Sequence, residues 1–346
     1  MQRSAGILLH PTALPGSWPI GDLGEQAFGF VDFLSEAGPS VWQILPLGPT
    51  GYGHAPYNTL SAFAGKTALM DLQQFIANQD LDRELVEAAV NNCAGMSFHQ
   101  VHSVKHRLLE TAKRNIFHRR SPERCDNFTR FCRHNADWLD DFGLFMAIKD
   151  AFNNQPWSDW PESLRRHQPD AIAAWRDSHA AQCDLYKYQQ YVFYEQWQTL
   201  KRYANRKGVK IFGDIPIFVA YDSADVWANQ HLFQLDAEGM PLAVAGVPPD
   251  YFSSTGQRWG NPLYNWQAHL AEDFHWWTRR FIHQLQQCDM IRIDHFRGFQ
   301  ACWSIPAAEK TAVNGHWEEA PGRKLLEKLQ TINAKMPIIA EDLGVI

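Results

Sequence analysis

The sequence is poor in cysteine. The six it has are Cys93, Cys125, Cys132, Cys183, Cys288 and Cys302, and they include no Cys-x-x-Cys pair and no other metal spacing. That argues against a structural zinc site and against a disulfide framework, and leaves reduced, mostly buried thiols as the expectation. The fifteen histidines form no His-Glu-x-x-His pattern. There is no excess of positive charge: the formal net charge is −6, whereas a nucleic-acid binder normally carries a basic patch. No apolar run is long enough to span a bilayer. The apolar stretch near the start, Ala5–Leu9, is too short for a signal-peptide core and has no cleavage site after it. Internal repeats and low-complexity tracts are absent. These features describe a cytoplasmic protein with neither nucleic-acid nor membrane partners, and nothing in them fixes an oligomeric state.

Aromatic rings are plentiful: 14 Trp, 10 Tyr and 21 Phe in 346 residues. Most belong in a core. Several, however, fall in polar, Gly/Pro-rich stretches where no core is expected. Exposed rings in such loops offer flat apolar faces on which the C–H face of a sugar can stack.

Along the chain, Ala5–Leu9 reads as a strand. Ala27, Phe30, Val31, Leu34 and Ala37 recur at helical spacing until Gly38-Pro39. Val41–Leu45 reads as a second strand, followed by a long loop from Pro46 to Phe63. Residues 81–200 read as mostly helical and polar, an insertion between strands two and three. Three further strands are expected at Val209–Phe212, Met290–Ile293 and Pro337–Ala340, with a helix over Lys324–Ile332. The pattern divides the chain into 1–80 (strands one and two and a substrate loop), 81–200 (the helical insertion) and 201–346 (strands three to five with a lid loop). Strands alternating with helices imply parallel β/α units.

Each of the three later strands runs into an acidic residue: Asp214, Asp294, and Glu341 with Asp342. In a (β/α)₈ barrel the carboxyl ends of the strands meet at one mouth, where active sites are built. A single Asp after a strand is usually a turn or cap; three in register point to function. Alternation puts Arg292 and Asp294 on one face of their strand and Ile291 and Ile293 on the other. Arg292 would then keep Asp294 ionised, and the charge on Asp294 would raise the pKa of Glu341. A charged nucleophile beside a protonated acid is the pairing that glycoside-cleaving enzymes use. Asp342 could be the acid instead, but alternation turns it away from Glu341's direction, so it reads as structural or as a support behind the site.

At this point the motifs resemble those of the amylomaltases, the 4-α-glucanotransferases of the α-amylase clan. The segments that carry the resemblance are His10–Gly16, Gln43–Pro49, Pro56–Phe63, Phe212–Pro216, Gly246–Phe252, Gly256–Pro262, Arg292–Gly298 and Ala340–Gly344. The resemblance implies a TIM barrel and transfer of α-1,4-glucan segments between maltooligosaccharides, with no metal or organic cofactor. It implies Asp294 as nucleophile and Glu341 as general acid/base, about 5 Å apart as retention requires. Arg292 and His295 would be their neighbours. Tyr57 would stack on the sugar before the scissile bond, and Asp214 would bind sugar hydroxyls. The Gly246–Trp259 loop, with Tyr251, Phe252 and Trp259, would act as a lid over the acceptor side, and Asn261 would join these residues in binding substrate. Members of the family are longer and carry a third carboxylate downstream, so a barrel truncated after strand five, without family-like turnover, is also expected.

Three other readings compete. Acidic residues at consecutive strand ends also serve metal-dependent barrel enzymes, with Asp214, Asp294 and Glu341 around Mg²⁺; the fixed positive charge of Arg292 and His295 counts against that. A glucan-binding fragment without turnover is the non-enzyme alternative. A plain hydrolase is the nearest enzymatic one.

Overall fold

The computed structural model describes residues 4–118 and 122–341. The chain divides into two compact units. The first comprises residues 1–49, 64–148 and 176–212, and the second residues 50–63, 149–175 and 213–346.

The first unit opens with β1 (Gly6–Leu8), α1 (Glu25–Ala37) and β2 (Val41–Gln43). Helix α1 forms because Ala27, Val31 and Leu34 fall on one stripe, each fully buried. It stops at Gly38, whose φ of +100° is the left-handed cap geometry that glycine takes without strain. The two strands pair in parallel, Gly6 opposite Val41 and Leu8 opposite Gln43, as a strand-helix-strand unit requires. Strand β3 (Lys210–Pro216) pairs with β2 in parallel through residues 210–212 and then continues into the second unit.

Between β2 and β3 the chain is helical: α2 (Gln73–Ala77), α3 (Arg83–Asn91), α4 (Phe98–His118), α5 (Pro122–His134), α6 (Ala136–Ala151), α7 (Glu162–Arg165), α8 (Pro169–Ser178) and α9 (Ala180–Arg206). Helix α9 carries Trp197 and Leu200 fully buried. No helix among the described residues is long and apolar enough to cross a membrane.

In the second unit β3 is followed by α10 (Ala224–Ala228), β4 (Ala243–Val247), β5 (Gln257–Pro262), α11 (Trp266–Ala271), α12 (His275–Gln287), β6 (Met290–Asp294), β7 (Ala301–Pro306), β8 (His316–Glu319), α13 (Gly322–Ile332) and β9 (Ile338–Ala340). Strands β3, β6 and β9 are neighbours in one sheet, and β6 pairs with β9 in parallel, Ile293 opposite Ala340. Ile291 and Ile293 are buried at 1% and 0% exposure while Arg292 and Asp294 face the other way, the alternation expected for this strand.

One expectation is met in part and another needs correction. The described residues supply five parallel strands, and their pairing does not trace a closed eight-stranded barrel; what the structure shows is an α/β fold on parallel strands. The stretch expected as a lid loop is in part sheet. Strands β5-β4-β7-β8 form an antiparallel sheet, with Gly246 opposite Arg258 and Val247 opposite Gln257. Only residues 248–256 lie outside that ladder. Segments such as Gln257-Arg-Trp-Gly-Asn-Pro262 and His316-Trp-Glu-Glu319 lack clean apolar alternation, so their strand character comes from long-range pairing and not from local pattern. A small apolar cluster of Val244, Ile305 and Ala312, with Trp303 packed on it, supports this sheet.

Gly213, one residue before Asp214, packs hard against the strand's surroundings. A Cβ there would come 2.3 Å from the Sγ of Cys288 and 3.1 Å from its Cβ. Replacing Gly213 with Ala should cost about 1–3 kcal/mol, the usual range for overpacking. Adding Cys288→Ala removes the clashing sulfur. The double variant should therefore be more stable in urea denaturation than the two single losses added together. Strict additivity would mean that Cys288 does not limit the space at Gly213.

Candidate active site

Five of the expected residues converge in the second unit. Strand β3 delivers Asp214, β6 delivers Arg292 and Asp294, Glu341 follows β9, and the loop over residues 50–63 delivers Tyr57. That loop is closed by an antiparallel bridge between Thr50 and Thr59 and by Gly51 N–H donating to Asn58 O.

Arg292 sits among the carboxylates. Its Nη1 donates to both oxygens of Asp214, at 2.9 and 2.8 Å. Its Nη2 lies 2.8 Å from Asp294 Oδ1 and 2.5 Å from Glu341 Oε1. Both oxygens sit on one nitrogen, so their separation cannot exceed the sum of those distances, 5.3 Å. The second oxygen of Glu341 accepts the backbone N–H of His295 at 2.5 Å. Asp294 Oδ2 has no hydrogen-bond partner among the described residues.

Asp214 is 4% exposed. Besides Arg292 it accepts the hydroxyl of Tyr57 at 2.6 Å. Its oxygens are thus engaged by protein donors, which suits an anchor for Arg292 and Tyr57.

The charges respond to burial. Burial pushes the Asp294 carboxyl up, the charge of Glu341 adds to that, and Arg292 opposes both; the net direction is upward. Arg292 thus acts on Asp294 in the expected sense but does not prevail. Asp214 is also pushed up by burial, against the Tyr57 and Arg292 bonds. Burial alone would pull Arg292 down, but Asp214 first, then Asp294 and Glu341, hold it well above the usual range. Burial lowers the His295 imidazole, with Asp294 and Glu341 opposing. The Tyr57 hydroxyl is raised by burial and by Asp214.

His295 contributes through its backbone. Its φ of +54° is left-handed, uncommon for a residue with a side chain, and it is in this conformation that the N–H reaches Glu341. The ring packs edge-on against Trp259, centroids 4.9 Å apart and planes at 89°.

A cavity of about 660 Å³ opens on this cluster; Tyr57, Trp259, Asn261, Asp294 and His295 line it. Asn261 donates its amide to Val219 O at 2.8 Å, so it also holds the wall. Tyr251 and Phe252 stand away from the cavity lining on the hairpin tip, 97% and 93% exposed and packed edge to face. Asp250 shapes that tip by accepting the N–H groups of Phe252 and Ser253. Asp342 lies outside the described residues.

Sequence reading missed another part of the lining: Pro156, Ser158, Phe218, Tyr221 and Asp222. The first two belong to the stretch taken as a helical insertion. Tyr221-Asp222 lies several residues beyond the end of β3, where no strand-end rule would look.

A sequence profile of the 4-alpha-glucanotransferase family matches residues 9–346. The chain belongs to this family. Among similar proteins, the 4-alpha-glucanotransferase of Thermus thermophilus is 46% identical over 100% of this chain and 69% of its own length. That of Aquifex aeolicus is 44% identical over 99% of this chain and 70% of its own. The structure superposes on an amylomaltase of Streptococcus agalactiae in complex with acarbose with a TM-score of 0.93 at 38% identity, over 100% of this chain and 70% of that one. An amylomaltase of Corynebacterium glutamicum, 20% identical with a TM-score of 0.80 over 99% of this chain and 48% of that one, shares the fold. The chain is thus an enzyme of the 4-alpha-glucanotransferase type with the amylomaltase fold. The metal-dependent alternative is not favoured: a guanidinium occupies the middle of the carboxylates, where a cation would have to sit.

Removing that guanidinium should show how the carboxylates depend on it. In Arg292→Met, Asp294 loses its main lowering influence, so its carboxyl should titrate higher than in the parent, as read by carbon-13 NMR of labelled aspartate. The variant should also be less stable by about 3–5 kcal/mol at neutral pH, because Asp214 is left buried without its cation. An Asp294 titration that stays put or moves down would remove Arg292 from its electrostatic role.

Proposed function

We propose that this enzyme transfers α-1,4-glucan segments between maltooligosaccharides by retaining double displacement, with Asp294 as nucleophile and Glu341 as general acid/base. The observation that carries this reading is the shared nitrogen of Arg292. It holds one oxygen of each carboxylate, so those two oxygens are no more than 5.3 Å apart, a close pairing of the kind retaining enzymes use (about 5–5.5 Å) and short of the wider spacing of inverting ones. The acarbose complex of the Streptococcus agalactiae relative supports an oligosaccharide as ligand.

In the first step Asp294 Oδ2, the oxygen left free of Arg292, attacks the anomeric carbon. The bond from that carbon to the glycosidic oxygen breaks, and its electron pair leaves with the oxygen, which takes a proton from Glu341. In the second step the 4-hydroxyl of an acceptor glucan gives its proton to Glu341 while its oxygen displaces Asp294. Glu341 accepts two hydrogen bonds in the free site. To act as the acid it must therefore exchange the Arg292 contact at Oε1 for the glycosidic oxygen. Arg292 keeps Asp214 and Asp294 meanwhile. Tyr57, fixed by its bond to Asp214, presents its ring to the sugar before the scissile bond. Trp259, braced by His295, and the rings of Tyr251 and Phe252 pack on the acceptor and shed water, which favours transfer over hydrolysis.

The same reading makes the parallel strands part of a (β/α)₈ barrel, since β3, β6 and β9 all bring carboxylates to one end. It also places the enzyme in the cytoplasm, in keeping with six cysteines that stand outside any disulfide.

With a slow fluorosugar donor, denaturing mass spectrometry should show a covalent adduct on the parent enzyme and none on Asp294→Ala; an adduct on the variant would move the nucleophile elsewhere. Glu341→Gln should lose about 10²–10⁴-fold on glucans, yet keep most of its rate on donors whose leaving group needs no proton. Equal losses on both donor types would take the acid/base role from Glu341. Incubation with maltotriose should yield glucose and longer oligomers; maltose and glucose alone would mean hydrolysis.

A further inference from the structure

Tyr57 and Asp214 share a 2.6 Å bond but come from segments far apart in sequence. Tyr57 sits in the loop over residues 50–63, and Asp214 near the end of β3. Their register depends on what ties those two segments together. One face of α12 does this, with Asp225 of α10 beside it.

Arg280, His283 and Gln284 fall at i, i+3 and i+4 of α12, the spacing that puts side chains on one helix face. Arg280 reaches the end of β3. Its Nη2 donates to Pro216 O at 2.6 Å and its Nη1 to Ile217 O at 3.2 Å. Those carbonyls lie two and three residues past Asp214. His283 and Gln284 reach the stem of the Tyr57 loop. His283 Nε2 meets Phe63 O at 2.9 Å, and since a carbonyl only accepts, that nitrogen carries the proton. Gln284 Nε2 donates to Ala62 O at 3.3 Å. From α10, Asp225 Oδ2 accepts the Ala62 N–H at 2.7 Å, and the Ala224 N–H donates to Leu60 O at 2.9 Å.

These ties lie inside the protein. Arg280, Asp225 and His283 are 2%, 5% and 7% exposed. The Arg280 guanidinium lies over the rings of Trp276 and Trp277, 5.4 and 5.1 Å from their centroids. The Phe63 ring packs on the His283 imidazole, centroids 5.3 Å apart. Side chains so enclosed have little room to change rotamer. Arg280, His283, Gln284 and Asp225 are all absent from the lining of the cavity at Asp294. Any effect they have on a bound sugar therefore passes through Tyr57 and Asp214.

We propose that Arg280, His283, Gln284 and Asp225 are positioning residues for glucan transfer. They hold the Tyr57 loop at a set distance from β3, and so fix where the Tyr57 ring meets the sugar before the scissile bond. The proposal rests on the glucan-transfer reading above. A misplacement of about 1 Å can cost about 10²-fold in rate, so a loosened stem is felt at the anomeric carbon although none of these side chains touches it.

The test is a double-mutant cycle between the stem and Tyr57, read as kcat/KM for maltotriose. His283→Leu removes a donor to the stem and should lower kcat/KM by about tenfold. His283→Gln returns an N–H near the Nε2 position and should recover most of that loss. In a Tyr57→Ala background the ring is gone, so adding His283→Leu should cost less than about twofold. Gln284→Ala, at a half-buried position, carries the same cycle should His283→Leu not fold. An equal fold loss with and without the Tyr57 ring would overturn the positioning role, because a merely structural residue acts regardless of Tyr57. Parental kcat/KM in His283→Leu would overturn it as well. If the parent makes only hydrolysis products, the transfer reading fails, yet the cycle can still be read from hydrolysis rates. The two ideas therefore fail separately.

Discussion

One guanidinium organises this site. Arg292 has a planar fork of donors, and the structure uses both ends of it, Nη1 on Asp214 and Nη2 on Asp294 and Glu341. Three carboxylates so close together would repel one another strongly without it. A lysine could not serve all three at once, because it offers a point charge and not a rigid fork. Strand alternation puts Arg292 and Asp294 on one face, parallel pairing with β9 brings Glu341 alongside, and β3 supplies Asp214. The rest of the fold can be seen as what it takes to bring those four chains of atoms together.

The arrangement sets one guanidinium among three carboxyl groups, so negative charge is in surplus even with Glu341 protonated as the proposed acid step requires. A site with surplus negative charge is complementary to a sugar passing through an oxocarbenium-like state. Burial first, and the charge of Glu341 second, push Asp294 up despite its contact with Arg292. In a half-buried cluster, desolvation and a neighbouring carboxylate outweigh a single shared cation.

Much of this was legible in the chain itself. The acidic residues at the ends of β3, β6 and β9, and the alternation around Arg292, follow from the two-residue period of a strand, which is a local property. What stayed hidden was non-local. The antiparallel sheet could not be seen because β5 and β8 carry polar, glycine- and proline-bearing sequences whose partners lie tens of residues away. The wall at Pro156 and Ser158 sits in a stretch that reads as helical insertion, far in sequence from Asp294. His295 could be picked as a neighbour of the site, but its use of a backbone N–H depends on a left-handed conformation for which its side chain gives no signal. The direction of the Asp294 shift depends on burial, which no motif encodes.

The hairpin between β4 and β5 carries a consequence of another kind. Its tip is closed by bonds within itself: Asp250 caps the N–H groups of Phe252 and Ser253, Ser253 Oγ donates to Gly256 O, and Gly256 takes the positive φ the turn needs. Tyr251 and Phe252 add almost nothing to the core, being almost fully exposed. Turn architecture and ring identity are thereby uncoupled. Evolution can change the two rings without disturbing the sheet that bears them, so this tip is an interchangeable cassette on an otherwise constrained catalytic frame.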